Sequence, residues 1–231
     1  NPAQFNEAAD LAAYPRTEAA DAAMAEAAGV DIVFAPAPDE VYPAGFATTV
    51  RVAGPALGFE GEHRGAGHFE GVATVVLKLL HMTGPDVAYF GRKDAQQALV
   101  IQRMARDLDF PVDIEVLPTV REEDGIAMSS RNAYLDPEQR ERATAIGRAL
   151  RAAERAAREG ETSTSALVEV TRRELGNAGI EPEYVEARSA EDLSPVAELN
   201  GRRVLVAVAA RVGSARLIDN VVIAPPTTPE A

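Results

Sequence analysis

The chain has 231 residues, a formal net charge of −13, 46% hydrophobic and 26% charged residues and no cysteine. That composition is ordinary for a globular protein with a sizeable core, excludes disulfides and thiolate metal sites, and argues against a general nucleic-acid surface, which needs clustered basic residues. No apolar run approaches the roughly 20 residues needed to span a bilayer, no signal peptide is visible, and a cytoplasmic location is expected.

In chain order, Thr17 to Ala28 is alanine-rich, opens on an N-cap residue and stops at Gly29, which predicts a helix. Asp31 to Ala35 is nearly all apolar, as expected of a buried parallel strand. Thr48 to Val52 alternates like a strand, and Gly54 to Gly67 reads as a loop. His68 to Met82 is a strongly apolar helix. A strand at Val87, a helix from Asp94 to about Leu108 and a strand at Val112 to Val116 follow. Helices alternating with short apolar strands predict a parallel, doubly wound sheet.

After Thr119 the character changes. Arg121 to Asn132 reads as a polar loop, and Asp136-Pro137 then opens a long charged helix to about Arg158. A break over Gly160 to Ser163 is followed by a helix at Thr164 to Asn177 and strands at Tyr184 to Ala187, Arg203 to Ala209 and Leu217 to Ile223. This predicts an α/β domain over 1–119 and a smaller α+β domain over 120–231, with a disordered tail from about Pro225.

Two segments carry chemistry. At Phe90-Gly91-Arg92-Lys93-Asp94 a strand turns into a helix, where free N–H groups and the helix dipole favour anions. Lys78 and Lys93 are the only lysines among 23 basic residues, and Lys93 stands in that turn. The alternative is a solvated loop lysine, with Asp94 as N-cap and Gln97 completing a capping box. Met128-Ser129-Ser130-Arg131-Asn132 offers hydroxyls and a guanidinium suited to a polyphosphate, or an ordinary turn. Asn1 and Gln4 supply amides, and His68 stands at a helix start where core, capping and pocket roles are all open. The three histidines lack zinc-ligand spacing, and no dedicated metal site is expected.

Taken in order, Asn-Pro-x-Gln-Phe at 1–5, Tyr-Pro-Arg-Thr at 14–17, Glu60-Gly61, Gly67-His68-Phe69-x-Gly71-Val72, Phe90-Gly91-x-Lys93-Asp94-x-Gln96-Gln97 and Met128-Ser129-Ser130-Arg131-Asn132 resemble the pantothenate synthetase (pantoate–β-alanine ligase) family along the whole chain. The resemblance implies a nucleotidyltransferase-superfamily enzyme with a Rossmann-like N-terminal domain and a C-terminal lid. It implies that pantoate is activated by ATP with Mg2+ to pantoyl adenylate, which β-alanine then attacks. Gly91, Arg92, Lys93 and Asp94, together with Val120 and Met128 to Arg131, would bind ATP, with Lys93, Ser129 and Arg131 catalytic. Gln4, Gln97, Asn1 and His68 would surround pantoate, and Gln4 would help hold β-alanine. A homodimer is implied, and neither nucleic acid nor membrane is an expected partner.

The family's His-x-Gly-His motif does not occur here. The sequence therefore reads as lacking an N-terminal segment, and the chain alone is expected to be inactive, with apolar flanks near Ile32 to Phe34 and Val87 to Phe90 partly uncovered. Arg92 and Ala95 stand where many relatives have glutamate and tyrosine, and the loop from Glu60 to His68 is one residue longer than usual. The alternatives are a non-catalytic remnant and another adenylate-forming nucleotidyltransferase.

Overall fold

The computed structural model describes residues 1–5, 11–12, 14 and 16–225, and in its first half helices pack against two short strands that pair with each other. Val87–Gly91 (β1) and Asp113–Leu117 (β2) pair in parallel, with Val87 opposite Asp113 and Gly91 opposite Leu117. The helix Glu18–Ala27 (α1) is followed by short helices at Pro38–Val41 (α2) and Glu60–Arg64 (α3). Ala66–Thr83 (α4) and Ala95–Asp107 (α5) then flank the strands. Phe69, Val72 and Leu80 of α4 meet Val100, Ile101 and Met104 of α5, with Ala88, Phe90 and Ile114 packed against them. The α4 chain reverses at Gly84, whose left-handed backbone lets its N–H reach the Leu80 carbonyl at 2.8 Å.

The second half starts where Asp136 and Gln139 cap each other ahead of Pro137–Arg158 (α6). Ile146, Ala149, Leu150, Ala153 and Ala157 form its buried stripe, facing Thr164–Asn177 (α7) and an antiparallel sheet. That sheet runs Pro182–Ser189 (β3), Val204–Val212 (β4), Ala215–Ile223 (β5), with β4 in the middle. Alternation along β4 divides its residues between two cores. Val204, Val206, Val208, Ala210 and Val212 face α6 and α7, whereas Leu205, Ala207 and Ala209 join Phe59, Tyr184 and Leu193 on the other face. Through Phe59 that second face meets the parallel-sheet half, and the candidate site forms there.

Several expectations change. Asp31 to Ala35 is not a strand: it lies beside no strand among the described residues, and Ile32 is 81% exposed. An all-apolar run becomes a parallel strand only when neighbours satisfy its backbone, so composition alone misleads here. Thr48 to Val52 is also unpaired, tied down instead by the Val50 N–H donating to the Thr74 hydroxyl at 2.9 Å. The loop expected over 54–67 contains α3 and the start of α4. Asp94 makes no side-chain cap, because a 3₁₀ turn over Arg92–Asp94 precedes α5 and re-aims it. The tail expected from Pro225 lies outside the described residues beyond that proline. Among the described residues, no helix is long and apolar enough to cross a membrane.

Candidate active site

A cavity of about 550 Å³ opens between the turn after β1, the start of α4 and the outer face of β4 and β5. Lys93, Asp94 and Gln97 line it from the turn and the first residues of α5. The adjacent Gln96 is buried and structural: its Nε2 donates to the Pro55 carbonyl at 2.9 Å and the Gly58 carbonyl at 3.1 Å, and its Oε1 accepts the Glu60 N–H at 3.0 Å. These bonds from one buried amide fix the segment that delivers Glu60. Gly91 and Arg92 stand behind the turn, outside the lining.

From the opposite wall come Gln4 and His68. The Asn1 side chain accepts the Ala3 N–H at 3.3 Å and so caps the 3₁₀ turn Pro2–Gln4. The same side chain donates to Gln4 Oε1 and the Gly71 carbonyl, each at 3.1 Å, and accepts from the Tyr42 hydroxyl at 2.7 Å. Asn1 itself is outside the cavity lining, behind Gln4. His68 Nδ1 lies 2.9 Å from the Gln4 carbonyl. Burial lowers the His68 pKa, the Gln4 carbonyl opposes this, and the nearby Arg64 cation adds to the lowering. His68 is therefore a neutral imidazole, with Nδ1–H donating and Nε2 left as an acceptor.

Gly71 explains the spacing of its motif. A Cβ there would sit 2.2 Å from the Ala3 carbonyl oxygen and 2.7 Å from the Gln4 nitrogen, both backbone atoms with little freedom to move. Gly71→Ala is expected to push Gln4 out of the cavity wall, raising KM for the substrate held there about tenfold or more with a smaller change in kcat. Steady-state kinetics beside a melting curve check this; unchanged KM would show that Gln4 holds nothing.

The loop at 128–131 contributes Met128, Ser129, Ser130 and Arg131 to the cavity. Its root is a small hairpin in which Arg121 bridges Ala127 and the Met128 N–H donates to the Val120 carbonyl at 2.9 Å. Ser129 Oγ accepts the Arg131 N–H at 3.2 Å and caps a 3₁₀ turn over Ser130–Tyr134. The Asn132 amide donates to the Ala127 carbonyl at 3.1 Å and to Glu122, which also pairs with Arg140. Val120 is 62% exposed and outside the lining.

Beneath the cavity lies a buried ion cluster. The Glu60 carboxylate receives both terminal nitrogens of Arg216 at 2.7 and 2.8 Å, Arg64 at 2.6 Å and the Tyr184 hydroxyl at 3.0 Å. Arg216 also reaches Glu183 at 2.7 Å. Burial would raise the Glu60 carboxyl, but the hydrogen bonds and charges of Arg216 and Arg64 outweigh it and hold the group at about 2. Burial and the adjacent carboxylate push the Tyr184 phenol up, so it stays a donor. Sequence reading finds Glu60 only as part of a motif and misses Tyr184 and Arg216, which lie 124 and 156 positions away. Asp219 and Asn220, also in the lining, carry one usable signal: two polar residues interrupting an apolar strand.

Among the described residues, the arginines nearest the cavity floor are committed to carboxylates, whereas the Lys93 ammonium makes no ion pair. An uncommitted cation beside hydroxyls and a guanidinium suits a polyanion, and neutral amides opposite suit a hydroxy acid.

Comparison with known proteins identifies the family. A family model described as pantoate-beta-alanine ligase matches residues 1–222. A pantothenate synthetase of Cereibacter sphaeroides is 53% identical over 222 residues, which is 96% of this chain and 78% of that protein. The crystal structure of pantothenate synthetase from Thermus thermophilus superposes with a TM-score of 0.88 at 46% identity, covering 96% of this chain and 80% of that one. A pantoate-beta-alanine ligase from Francisella tularensis, complexed with beta-gamma ATP and β-alanine, gives a TM-score of 0.74 at 30% identity, covering 96% and 76%. The fold is thus the nucleotidyltransferase-like α/β fold of these enzymes. The chain belongs to the pantoate–β-alanine ligase family.

Proposed function

We propose that this protein condenses (R)-pantoate with β-alanine using ATP, through a pantoyl adenylate, and releases pyrophosphate and AMP. The observation that carries this reading is one cavity lined by Lys93, Gln97, Ser129 and Arg131, with Gln4 and His68 facing them from the opposite wall. In the first step a pantoate carboxylate oxygen attacks the α-phosphorus of ATP, and the bond from that phosphorus to the bridging oxygen breaks, releasing pyrophosphate. Charge builds on phosphate oxygens, so a fixed ammonium and guanidinium lower the barrier more than they stabilise the ground state. Mg2+ enters with ATP as part of the substrate, held on phosphates and water. Gln4 and Gln97 hold pantoate, and the His68 Nε2 accepts from one of its hydroxyls.

In the second step the β-alanine nitrogen attacks the acyl carbon, the bond to the adenylate oxygen breaks, and the nitrogen loses a proton. Gln4 helps hold the amine in place. Proximity and exclusion of water from the mixed anhydride are the main requirements, which a closing lid serves. In this reading residues 1–119 are the Rossmann-like domain and 120–231 the lid, with Val120 toward the adenine end and Gly91, Arg92 and Asn1 supporting the wall. A homodimer and a cytoplasmic location are part of the same reading, resting on the family.

The test is to give the full-length protein ATP, Mg2+ and pantoate and to follow pyrophosphate. About one equivalent per site is expected without β-alanine, and continuous AMP release on adding it. Pyrophosphate release independent of pantoate would point to another adenylate-forming activity, and its absence would remove the catalytic reading.

A further inference from the structure

On β5 the apolar residues Leu217, Ile218, Val221, Val222 and Ile223 are interrupted by Asp219 and Asn220, both at least nine-tenths buried. Buried polar groups persist where they make hydrogen bonds that apolar residues cannot. Asp219 accepts a two-pronged pair from Arg121, at 2.7 and 3.1 Å, and the backbone N–H of Asn220 at 2.8 Å. The Asn220 Nδ2 donates to two successive carbonyls in the turn that carries the candidate cation: Arg92 at 2.9 Å and Lys93 at 3.0 Å. Only an NH2 group can face two carbonyl oxygens at once, which fixes the orientation of the amide. Its Oδ1 is buried without a partner among the described residues. A leucine would fill the same space without the orphaned Oδ1 but would take this donor from the Arg92 and Lys93 carbonyls, so the amide is accounted for by its hydrogen bonds and not by packing.

Behind Asp219, Arg121 also donates to the Gly125 carbonyl at 3.1 Å, and it bridges Ala127 just before Met128. One line of bonds thus runs from the root of the 128–131 loop, through Arg121, Asp219 and Asn220, to the Lys93 turn.

We propose that Asn220, backed by Asp219 and Arg121, is a positioning residue that holds the Lys93 turn in register with the 128–131 loop. The proposal rests on reading the cavity as the ATP site. It acts on the adenylation step, because both segments line the cavity at the phosphate end, and leaves the amide-forming step largely untouched.

The test uses Asn220→Leu and Asn220→Asp in the full-length enzyme. Asn220→Leu is expected to raise KM for ATP about tenfold and to slow pantoate-dependent pyrophosphate release roughly a hundredfold, while the attack of β-alanine on supplied pantoyl adenylate changes by less than about threefold. Asn220→Asp sets a carboxylate against two carbonyl oxygens, so its deficit is expected to be as large at pH 8 and to shrink relative to the parent as the pH falls and protonation returns one O–H donor. That recovery would not follow from loosened packing. Rates within about twofold of the parent for both variants, or a loss spread evenly over both steps with no recovery at lower pH, overturn the proposal. If Lys93→Ala is also silent, the ATP reading itself has failed; if Lys93→Ala is inactive while the Asn220 variants are normal, only the positioning role has.

Discussion

Lys93→Ala is expected to cut pantoate-dependent pyrophosphate release on the order of a thousandfold, the loss of about 4 kcal/mol of transition-state stabilisation. The size follows from where the charge is. The Lys93 ammonium lines the cavity and makes no ion pair among the described residues, so its whole field is available to a transferring phosphate. Arg121 and Arg216, by contrast, are neutralised by Asp219 and Glu60. The melting temperature is expected to stay within about two degrees of the parent, since truncating a half-buried side chain that makes no ion pair among the described residues costs little. ATP–pyrophosphate exchange beside a thermal melt checks both halves. Near-normal exchange would make Lys93 the solvated loop residue that its local sequence also allows.

Glu60→Gln is expected to have the largest effect on stability, about 3 kcal/mol at neutral pH, or on the order of 10 °C in melting temperature for a chain of this length. The amide keeps the Tyr184 hydrogen bond but leaves Arg64 and Arg216 as buried cations, with only Glu183 remaining for Arg216. The pH dependence has a defined sign. The carboxyl sits at about 2 when folded against an ordinary value of 4.5, so folding is favoured wherever the unfolded chain would take a proton that the folded one refuses. That stabilisation is complete above about pH 4.5 and is lost as the pH falls toward 2, so parent and variant should converge across this window. Calorimetry at several pH values measures the gap; a gap unchanged at low pH would mean that the carboxylate is not the group holding the two arginines.

How much is legible in the sequence depends on how local the cause is. The helix at Thr164–Asn177 and the start of the helix at Pro137 have the predicted bounds because their caps are nearest-neighbour chemistry: Ser163 and Asp136 hold the first free N–H groups. The Lys93 turn with Gln97, the 128–131 loop and the Gln4 and His68 wall are readable as motifs, and the fold brings them to one cavity. Asp31 to Ala35 misleads because strand formation depends on a partner strand, which no window of five residues contains. Asp94 fails as a cap because one intervening 3₁₀ turn rotates its side chain, a change that composition does not record. Arg216 and Tyr184 are invisible as site residues because their significance is purely spatial: each meets Glu60 from more than a hundred positions away.

The middle strand Val204–Val212 has a consequence for how this protein can change over time. Its odd and even positions answer to different demands. Val204, Val206 and Val208 are judged by how well the helical layer coheres, while Leu205 and Ala207 border the space a substrate must fit. Replacing Ala207 with a larger residue would narrow that space without disturbing the helices, and exchanging Val206 for isoleucine would do the reverse. Two kinds of selection are therefore interleaved along nine residues, and each can drift with little interference from the other.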